Sequence, residues 1–330
     1  MTSEAICLDE RFSTTKLVFR KHLGSTAPSL RSEGDTSRPI KSDIKTEGGL
    51  RTKGFSKQDV LNKPLISVIT VVFDGAQRLE YTIRSVVNQT YDNVEYIVID
   101  GGSTDGTLEI VRKFGEAIDY WVTGPDKGVY DAMNKGLSIA SGEWINFMNA
   151  GDAFCSKESI ANTVKEFSEA LVYYSDAVFY LEHAGKFYYR EVPCDARRHQ
   201  FIHQSCIYSK RLHSTYGQYM VAAGVTASDY LFFKTVPLEY WRKTKAIISK
   251  YHVGDNISSG RRHEEQVFGA DLFFGSRSIG KTIAVFWLEN VKRFVRKIER
   301  SFFTRDLYLT GIEKYSKMHR EEFWQDFWRD

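Results

Sequence analysis

Three aspartates in the middle of the chain have the type and placement of residues that do chemistry. Asp74 and Asp100 each follow an apolar run directly, and Asp152 follows a third run after three small or polar residues. A carboxylate in such a place can hold a hard cation, accept hydrogen bonds from a ligand or take up a proton. Whether the three act together depends on the elements that carry them.

Those elements are strand–loop–helix units. Residues 65–73 are rich in β-branched side chains and polar at only two positions, which predicts a strand buried on both faces. A helix is predicted over 78–88, where apolar residues recur on one face. A second unit follows, with a strand at 94–99, a polar loop at 100–106 and a helix at 107–114.

A third unit has a strand at 118–123, a loop at 124–128 and a helix at 129–140, and a fourth strand is predicted at 144–148. Parallel strands place their carboxyl ends at one edge of the sheet, where loops and helix N-termini gather with unpaired N–H groups. The sequence therefore predicts a ligand site that Asp74, Asp100 and Asp152 share.

Lys127 and Gly128 lie in the third loop, before a predicted helix N-terminus that could bind a phosphate group. A lysine there can neutralise phosphate oxygens, and a glycine permits close backbone approach. The alternative is a solvated turn lysine. Two other polar residues have structural interpretations: Asp105 caps the helix that begins at Thr107, and Asn134 is satisfied by a neighbouring loop or by the nucleotide.

Several motifs in this order resemble the inverting glycosyltransferases of family two, closely over residues 64–155 and more loosely to about residue 260. The motifs are VITVVFDGAQRLEYTIRSVVNQTYDNVEYIVIDGGSTDGT, GPDKGVYDAMNKGLSIASGEW and NFMNAGDAF. The resemblance implies the GT-A fold, an α/β architecture with a mixed, mostly parallel sheet flanked by helices. It also implies a nucleotide-sugar half at 64–155 and an acceptor half at 156–260.

The resemblance assigns roles to individual residues. The residues implied in donor binding are Phe73, Asp74, Asp100, Asn149 and His203, together with Lys127 and Gly128. Asp152 is the implied ligand of Mn²⁺ or Mg²⁺, which also binds phosphate oxygens. Asp229 is the implied catalytic base. Gly101 stands where many relatives have a second acid, and Asn149 and Gly151 stand where relatives often have further acids.

Three of these roles have a structural alternative. Asp100 can form an Asx turn that caps the next helix, Asp229 can be an N-cap, and a lone histidine such as His203 is more often a satisfied core group. For the aromatic-rich hairpin predicted at 177–192, stacking on sugars and filling a small second core are equally plausible.

Composition fits an enzyme with a full core. The 330 residues are 42% hydrophobic, and the formal charge of +3 is too small for a dedicated nucleic-acid binder. Four cysteines without metal-ligand spacing indicate reduced thiols in the cytoplasm and no zinc site. The first residues lack the pattern of a signal peptide, and no apolar run is long enough to span a membrane.

The two ends of the chain differ in character from its middle. Residues 1–63 are polar and predict a poorly ordered lead-in, and residues 261–330 predict a helical appendage. From Arg277 to Arg305 there are eight Lys or Arg and two Glu, with apolar residues on the opposite helical face. This pattern is typical of a basic helix at an anionic membrane surface, and equally of a helix docked on protein.

These observations together predict an inverting glycosyltransferase that adds one sugar per encounter. It would move the sugar of a UDP- or GDP-sugar to a lipid-linked or glycan acceptor in polysaccharide or lipopolysaccharide synthesis, in the cytoplasm or peripherally on the inner face of the membrane. The alternatives are a non-catalytic assembly partner of the same fold and a sugar nucleotidyltransferase. No nucleic-acid partner is expected.

Overall fold

The computed structural model describes residues 5–20, 44–183, 186–253 and 261–274. In these residues a central sheet of eight strands is covered by helices on both faces. The helices are α1 (Ser13–Lys16), α2 (Ala76–Val87), α3 (Thr107–Lys113), α4 (Val129–Ile139), α5 (Ser159–Val164), α6 (Arg211–Tyr216), α7 (Ser228–Thr235) and α8 (Arg261–Phe273).

The strands form three sheets. They are β1 (Phe19–Arg20), β2 (Thr46–Gly48), β3 (Phe55–Ser56), β4 (Ile66–Val72), β5 (Val94–Asp100), β6 (Tyr120–Thr123), β7 (Trp144–Phe147), β8 (Ala153–Phe154), β9 (Val172–Tyr174), β10 (Ala177–His183), β11 (Lys186–Val192), β12 (Cys206–Ser209), β13 (Trp241–Lys243) and β14 (Ser249–His252). The central sheet has the order β13-β9-β12-β7-β4-β5-β6-β2, a second sheet has the order β11-β10-β14-β8, and β1 pairs with β3.

The middle of the central sheet is parallel. β4 pairs in parallel with β5 and β7, and β5 pairs in parallel with β6, so that Val72, Asp100 and Thr123 lie side by side at one edge. The antiparallel pairings of β12 and β2 make the whole sheet mixed. The predicted α/β class and the shared edge are both confirmed.

Apolar side chains explain why the sheet is buried on both faces. Every residue of β4 and β5 is buried. On one face α2 contributes Leu79, Ile83, Val86 and Val87 to the core, as the spacing predicts, and on the other face α4 and α7 pack. The helices thus hold the loops at the carboxyl ends of β4–β7 in fixed positions.

The N-terminal segment differs from the predicted lead-in over the residues that the structure describes. β2 pairs antiparallel with β6 and extends the central sheet, and Leu50 is buried. In α1, the hydroxyl groups of Ser13 and Thr14 donate to backbone carbonyls of the main domain. The polar composition of this segment predicts poor order, but its polar side chains form hydrogen bonds with the backbone at the end of α2 and after α3 and so hold the segment in place.

The second sheet joins the strands of residues 177–192 to the segment that follows β7, since β14 pairs with both β8 and β10. Its hairpin β10–β11 matches the prediction. α8 follows and packs against α7. The predicted basic helix from Arg277 to Arg305 lies outside the described residues. None of the described helices has the length and hydropathy needed to cross a membrane.

Candidate active site

A cavity of about 640 Å³ opens at the carboxyl ends of β4 and β7. Six of the residues to which the resemblance assigns a role line it: Phe73, Asp74, Asn149, Asp152, His203 and Asp229. Asp100, Lys127 and Gly128 are not among the lining residues. The fold therefore brings the residues that follow β4 and β7 together with His203 and Asp229 in one cavity.

Phe73 and Asp74 line this cavity where the chain leaves β4. The ring of Phe73 is 67% exposed although it follows a buried strand. Asp74 has a positive φ of 48°, which is uncommon for a residue with a side chain. Its carboxylate accepts from the backbone N–H of Thr104, and its own N–H donates to Ser103 Oγ. These bonds hold the loops after β4 and β5 together.

Asp100 turns inward and is satisfied by protein. The residue is only 2% exposed. Its carboxylate accepts from the backbone N–H and hydroxyl of Ser103 and from the hydroxyl of Thr123. This is the turn-forming role that the sequence left open as an alternative, and it ties the ends of β5 and β6 together.

A different acid occupies the surface beside Asp100. A Cβ atom built on Gly101 would lie 2.6 Å from Oδ2 of Asp126 and 3.1 Å from the Phe73 ring. The Asp126 carboxylate thus fills the space that a side chain at 101 would take, and partial burial raises its pKa. Sequence reasoning missed Asp126, because no pattern links a loop aspartate to a glycine 25 residues earlier.

The cation beside the cavity is Arg78. It lies in the first turn of α2, lines the cavity and forms no ion pair with a described residue. Lys127 is exposed outside the cavity, and the backbone N–H groups of Lys127 and Gly128 donate to Asp131 and Asp126. Arg78 was missed because its position in the sequence is that of an ordinary exposed helix residue.

Asp152 lies on the cavity floor with both carboxylate oxygens in use. Oδ2 accepts from Gln204 Nε2 at 2.7 Å, and Oδ1 accepts from the backbone N–H of His252 at 2.9 Å. Burial raises the pKa of Asp152 to about 7. Burial, and to a lesser degree the charge of Arg78, lowers the pKa of His252 to about 4, so its ring is neutral.

Two side-chain oxygen atoms also lie at the floor. Asn149 Oδ1 and Gln204 Oε1 are buried and have no hydrogen-bond partner among the described residues. With the Asp152 carboxylate they form a set of hard oxygen donors, which suits Mg²⁺ or Mn²⁺ that keep waters and phosphate oxygens as further ligands. Among the described residues there is no group of three or more His, Cys, Asp or Glu that could hold a metal alone. The residues thus fit an ion that arrives with a diphosphate.

Asp229 is held on the opposite wall by two donors. Tyr130 Oη donates to Oδ1 at 2.7 Å, and Nδ1 of His203 lies 2.7 Å from Oδ2. Asn149 Nδ2 lies 3.1 Å from Nε2 of His203. Because an amide nitrogen only donates, Nε2 accepts and the ring proton is on Nδ1, pointing at Asp229.

This network keeps Asp229 ionised. Burial alone would raise the pKa of Asp229, but the hydrogen bonds from His203 and from Tyr130 lower it to about 2. Burial, together with the charge of the same carboxylate, raises the pKa of Tyr130. Asp229 is the second residue of α7, and its side chain is 18% exposed. A charged, pre-oriented carboxylate therefore faces the cavity at neutral pH.

Two residues have the structural roles that the sequence favours. Asp105 Oδ1 accepts from the N–H of Thr107 at the start of α3, and Oδ2 accepts from the N–H of Ala76 at the start of α2. Asn134 exchanges two hydrogen bonds with the backbone of Tyr219. Asp105 thus fixes two helix N-termini, one of which carries Arg78.

Comparison with known proteins agrees with this geometry. Residues 67–226 match the family described as glycosyl transferase family 2. An uncharacterized glycosyltransferase of Mycobacterium tuberculosis is 39% identical over 106 residues, which are 32% of this chain and 40% of that protein. A PGL/p-HBAD biosynthesis glycosyltransferase of the same species is 28% identical over 173 residues, 50% of this chain and 66% of that protein. The chain thus spans less than two thirds of each relative.

Two solved structures share the fold. One is Staphylococcus aureus TarS 1–349 in complex with UDP-GlcNAc, at 18% identity and a TM-score of 0.53 over 67% of this chain and 70% of that one. The other is the mannosyltransferase PcManGT of Pyrobaculum calidifontis with GDP-Man and Mn²⁺, at 17% identity and a TM-score of 0.51 over 66% and 65%. Together with the motifs in order around one cavity, the family match identifies residues 67–226 as a glycosyl transferase family 2 domain.

Proposed function

We propose that the protein is an inverting, non-processive glycosyltransferase. It moves a sugar from a nucleoside-diphosphate donor to a hydroxyl group of a lipid-linked or glycan acceptor in cell-surface polysaccharide synthesis. The observation that carries this proposal is the ionised Asp229, fixed by His203 and Tyr130 on the wall of a cavity whose floor holds Asp152.

The donor would lie along the edge formed by β4, β5 and β7. The exposed ring of Phe73 offers a stacking surface for the base, and the Asp126 carboxylate beside it can accept an N–H of uracil or guanine. Arg78, at the N-terminal turn of α2, is placed to neutralise the diphosphate together with the helix dipole. UDP-GlcNAc and GDP-Man, bound by the two structural neighbours, have this general chemistry.

Mn²⁺ or Mg²⁺ would be held by Asp152 and the Asn149 carbonyl oxygen. When bound, the ion would stabilise negative charge on the leaving diphosphate. The mannosyltransferase that shares the fold contains Mn²⁺. In the chain itself, His203 links the two sides of the cavity, since Nε2 accepts from Asn149 and Nδ1 donates to Asp229.

The chemical step is a single displacement. The acceptor oxygen attacks the anomeric carbon from the face opposite the diphosphate, the bond from that carbon to the diphosphate oxygen breaks, and the configuration inverts. The acceptor proton passes to Asp229, whose charge is ready at neutral pH. His203 and Tyr130 fix the carboxylate on the cavity wall, which limits the reorganisation needed during transfer.

The acceptor would enter past the wall that Phe201, Thr226 and Tyr251 contribute. The relative from Mycobacterium tuberculosis that is named for PGL/p-HBAD biosynthesis supports a role in cell-surface glycan synthesis.

For the localisation we propose the cytoplasm or the inner face of the membrane, with the basic segment after residue 274 as the contact to anionic lipid. That segment lies outside the described residues.

A ligand screen tests the proposal. UDP, GDP and their sugars are added with and without Mn²⁺, and melting temperature and slow donor hydrolysis are recorded. We expect one nucleoside diphosphate to raise the melting temperature in a Mn²⁺-dependent manner, and its sugar to be hydrolysed. Binding without turnover, in the presence of simple glycoside acceptors, would favour a non-catalytic partner. Release of pyrophosphate from a nucleoside triphosphate and a sugar phosphate would favour a nucleotidyltransferase instead.

A further inference from the structure

The first turn of α7, which carries Asp229, is held from outside by α8. Gln266 Oε1 accepts from the backbone N–H groups of Thr226 and Ala227 at 2.8 and 3.1 Å, and Gln266 Nε2 donates to the carbonyl of Gly224 at 2.7 Å. Ala227, which precedes α7, has no side chain able to cap the helix. Gln266 therefore fixes the chain where it enters α7.

Two further contacts from α8 act on the same turn. Nδ1 of His263 lies 2.6 Å from the carbonyl oxygen of Thr226, which can only accept, so the ring donates. On the other side of Asp229, Tyr230 Oη donates to Oδ1 of Asp271 at 2.6 Å. Asp271 also pairs with Lys234, and both side chains are almost fully buried. The residues on each side of Asp229 are thus tied to α8, Thr226 and Ala227 through their backbone and Tyr230 through its side-chain hydroxyl.

We propose that α8 positions Asp229 and that Gln266 is its principal positioning residue; this inference rests on the proposed role of Asp229 in catalysis. The rest of α7 is fixed independently, because Phe232 and Phe233 are buried in the core. Removing Gln266 leaves His263 and Tyr230 as the contacts between α8 and this turn, so it loosens the N-terminal turn without removing the helix. The carboxylate then loses its alignment with His203, which depends on a contact of 2.7 Å.

α8 lies beyond the segment that matches the family, which ends at residue 226. Positioning by α8 is therefore a property of this chain that the shared motifs do not contain. Since α8 is followed directly by the basic segment of the tail, the same helix connects that segment to the catalytic turn.

The test uses the full-length protein with Gln266→Ala, and Val111→Ala as a control. Val111 is buried in α3, on the other face of the sheet, so that variant loses stability without contact to α7. The readout is the Nδ1–H proton resonance of His203 in protein with ¹⁵N-labelled histidine, assigned by its loss in His203→Asn. Transfer or donor hydrolysis is measured in parallel.

In Gln266→Ala we expect the His203 resonance to shift or broaden. We expect kcat to fall roughly 10–100-fold, because misplacement of a catalytic group by about 1 Å can lower the rate about 10²-fold. The KM for the donor should stay within about twofold, because Gln266 does not act on the donor side of the cavity. Val111→Ala should keep the resonance and kcat. An unchanged resonance in Gln266→Ala, or equal losses in both variants, would overturn the proposal. If the parent protein shows no transfer, the proposed function fails, while the resonance still decides whether α8 positions Asp229.

Discussion

Replacing Arg51 by alanine should destabilise the whole domain, although Arg51 lies in the stretch whose sequence predicts poor order. Its guanidinium pairs with Glu95 on β5, donates to the carbonyl of Ile139 at 2.7 Å and contacts Ser141 Oγ. The side chains of Arg51 and Glu95 are 6% and 0% exposed. The substitution therefore leaves a carboxylate fully buried without its counter-charge.

The expected loss follows from that burial. Removing one partner of a buried ion pair costs about 3–5 kcal/mol. At about 2–4 °C of melting temperature per kcal/mol for a chain of this size class, the transition should fall by roughly 6–20 °C. Urea unfolding and calorimetry measure both quantities. Lys53→Ala is the matched control, because Lys53 lies in the same helical turn, Leu50–Lys53. Lys53 pairs with Glu116, whose side chain is 79% exposed, so the melting temperature of this variant should hardly change.

The double variant Arg51→Met with Glu95→Gln separates charge from packing. It removes both charges, so most of the loss should be recovered. If Arg51→Ala unfolds within about 1 kcal/mol of the parent, the N-terminal segment is not part of the cooperative unit, and the reasoning from buried charge is wrong.

Three further predictions concern other acids. Asp152→Ala should lose the Mn²⁺-dependent part of nucleotide affinity, and calorimetric titration with equal affinity in both proteins would remove Asp152 from the metal site. Asp126→Asn should bind UDP or GDP several-fold more weakly and inorganic pyrophosphate as before, and equal losses for both ligands would contradict a base contact. Burial raises the pKa of Asp119 to about 7, despite the nearby Lys57. The contribution of the Asp119 carboxyl to the free energy of unfolding is complete below its unfolded pKa of about 4 and is lost as the pH rises to about 7. In Asp119→Asn, the free energy of unfolding measured with urea should therefore depend less on pH between these two values.

The sequence predicts the parallel half of the fold well, because its elements are long and bounded by glycine and aspartate. The strand predicted at 65–73 is Ile66–Val72, and the helix predicted at 129–140 is Val129–Ile139. Short polar edge elements are different. Thr46–Gly48 has three residues, too few to show periodicity, and its pairing with β6 depends on a strand some 70 residues later.

The site was predictable where a motif carries the chemistry. Asp152, His203 and Asp229 do meet in one cavity, although nothing in their spacing alone requires it. Asp126 was not predictable, because it lies in space that Gly101 leaves free. Arg78 was not predictable either, because its position in the sequence is that of an ordinary exposed helix residue. Asp100 shows the opposite case, a motif residue that the structure uses to join two strand ends.

In the proposed mechanism, Asp229 takes up the proton of the acceptor hydroxyl group. Asparagine at this position keeps the size of the side chain but cannot take up the proton, so Asp229→Asn separates chemistry from structure. The measurement is the transfer rate with the donor identified by the screen, together with donor affinity and melting temperature. We expect turnover to fall by roughly 10²–10⁴-fold, while donor affinity and melting temperature stay near the parent's. Transfer at an undiminished rate by a folded Asp229→Asn protein would contradict the account, and loss of donor binding would place Asp229 in the nucleotide site instead.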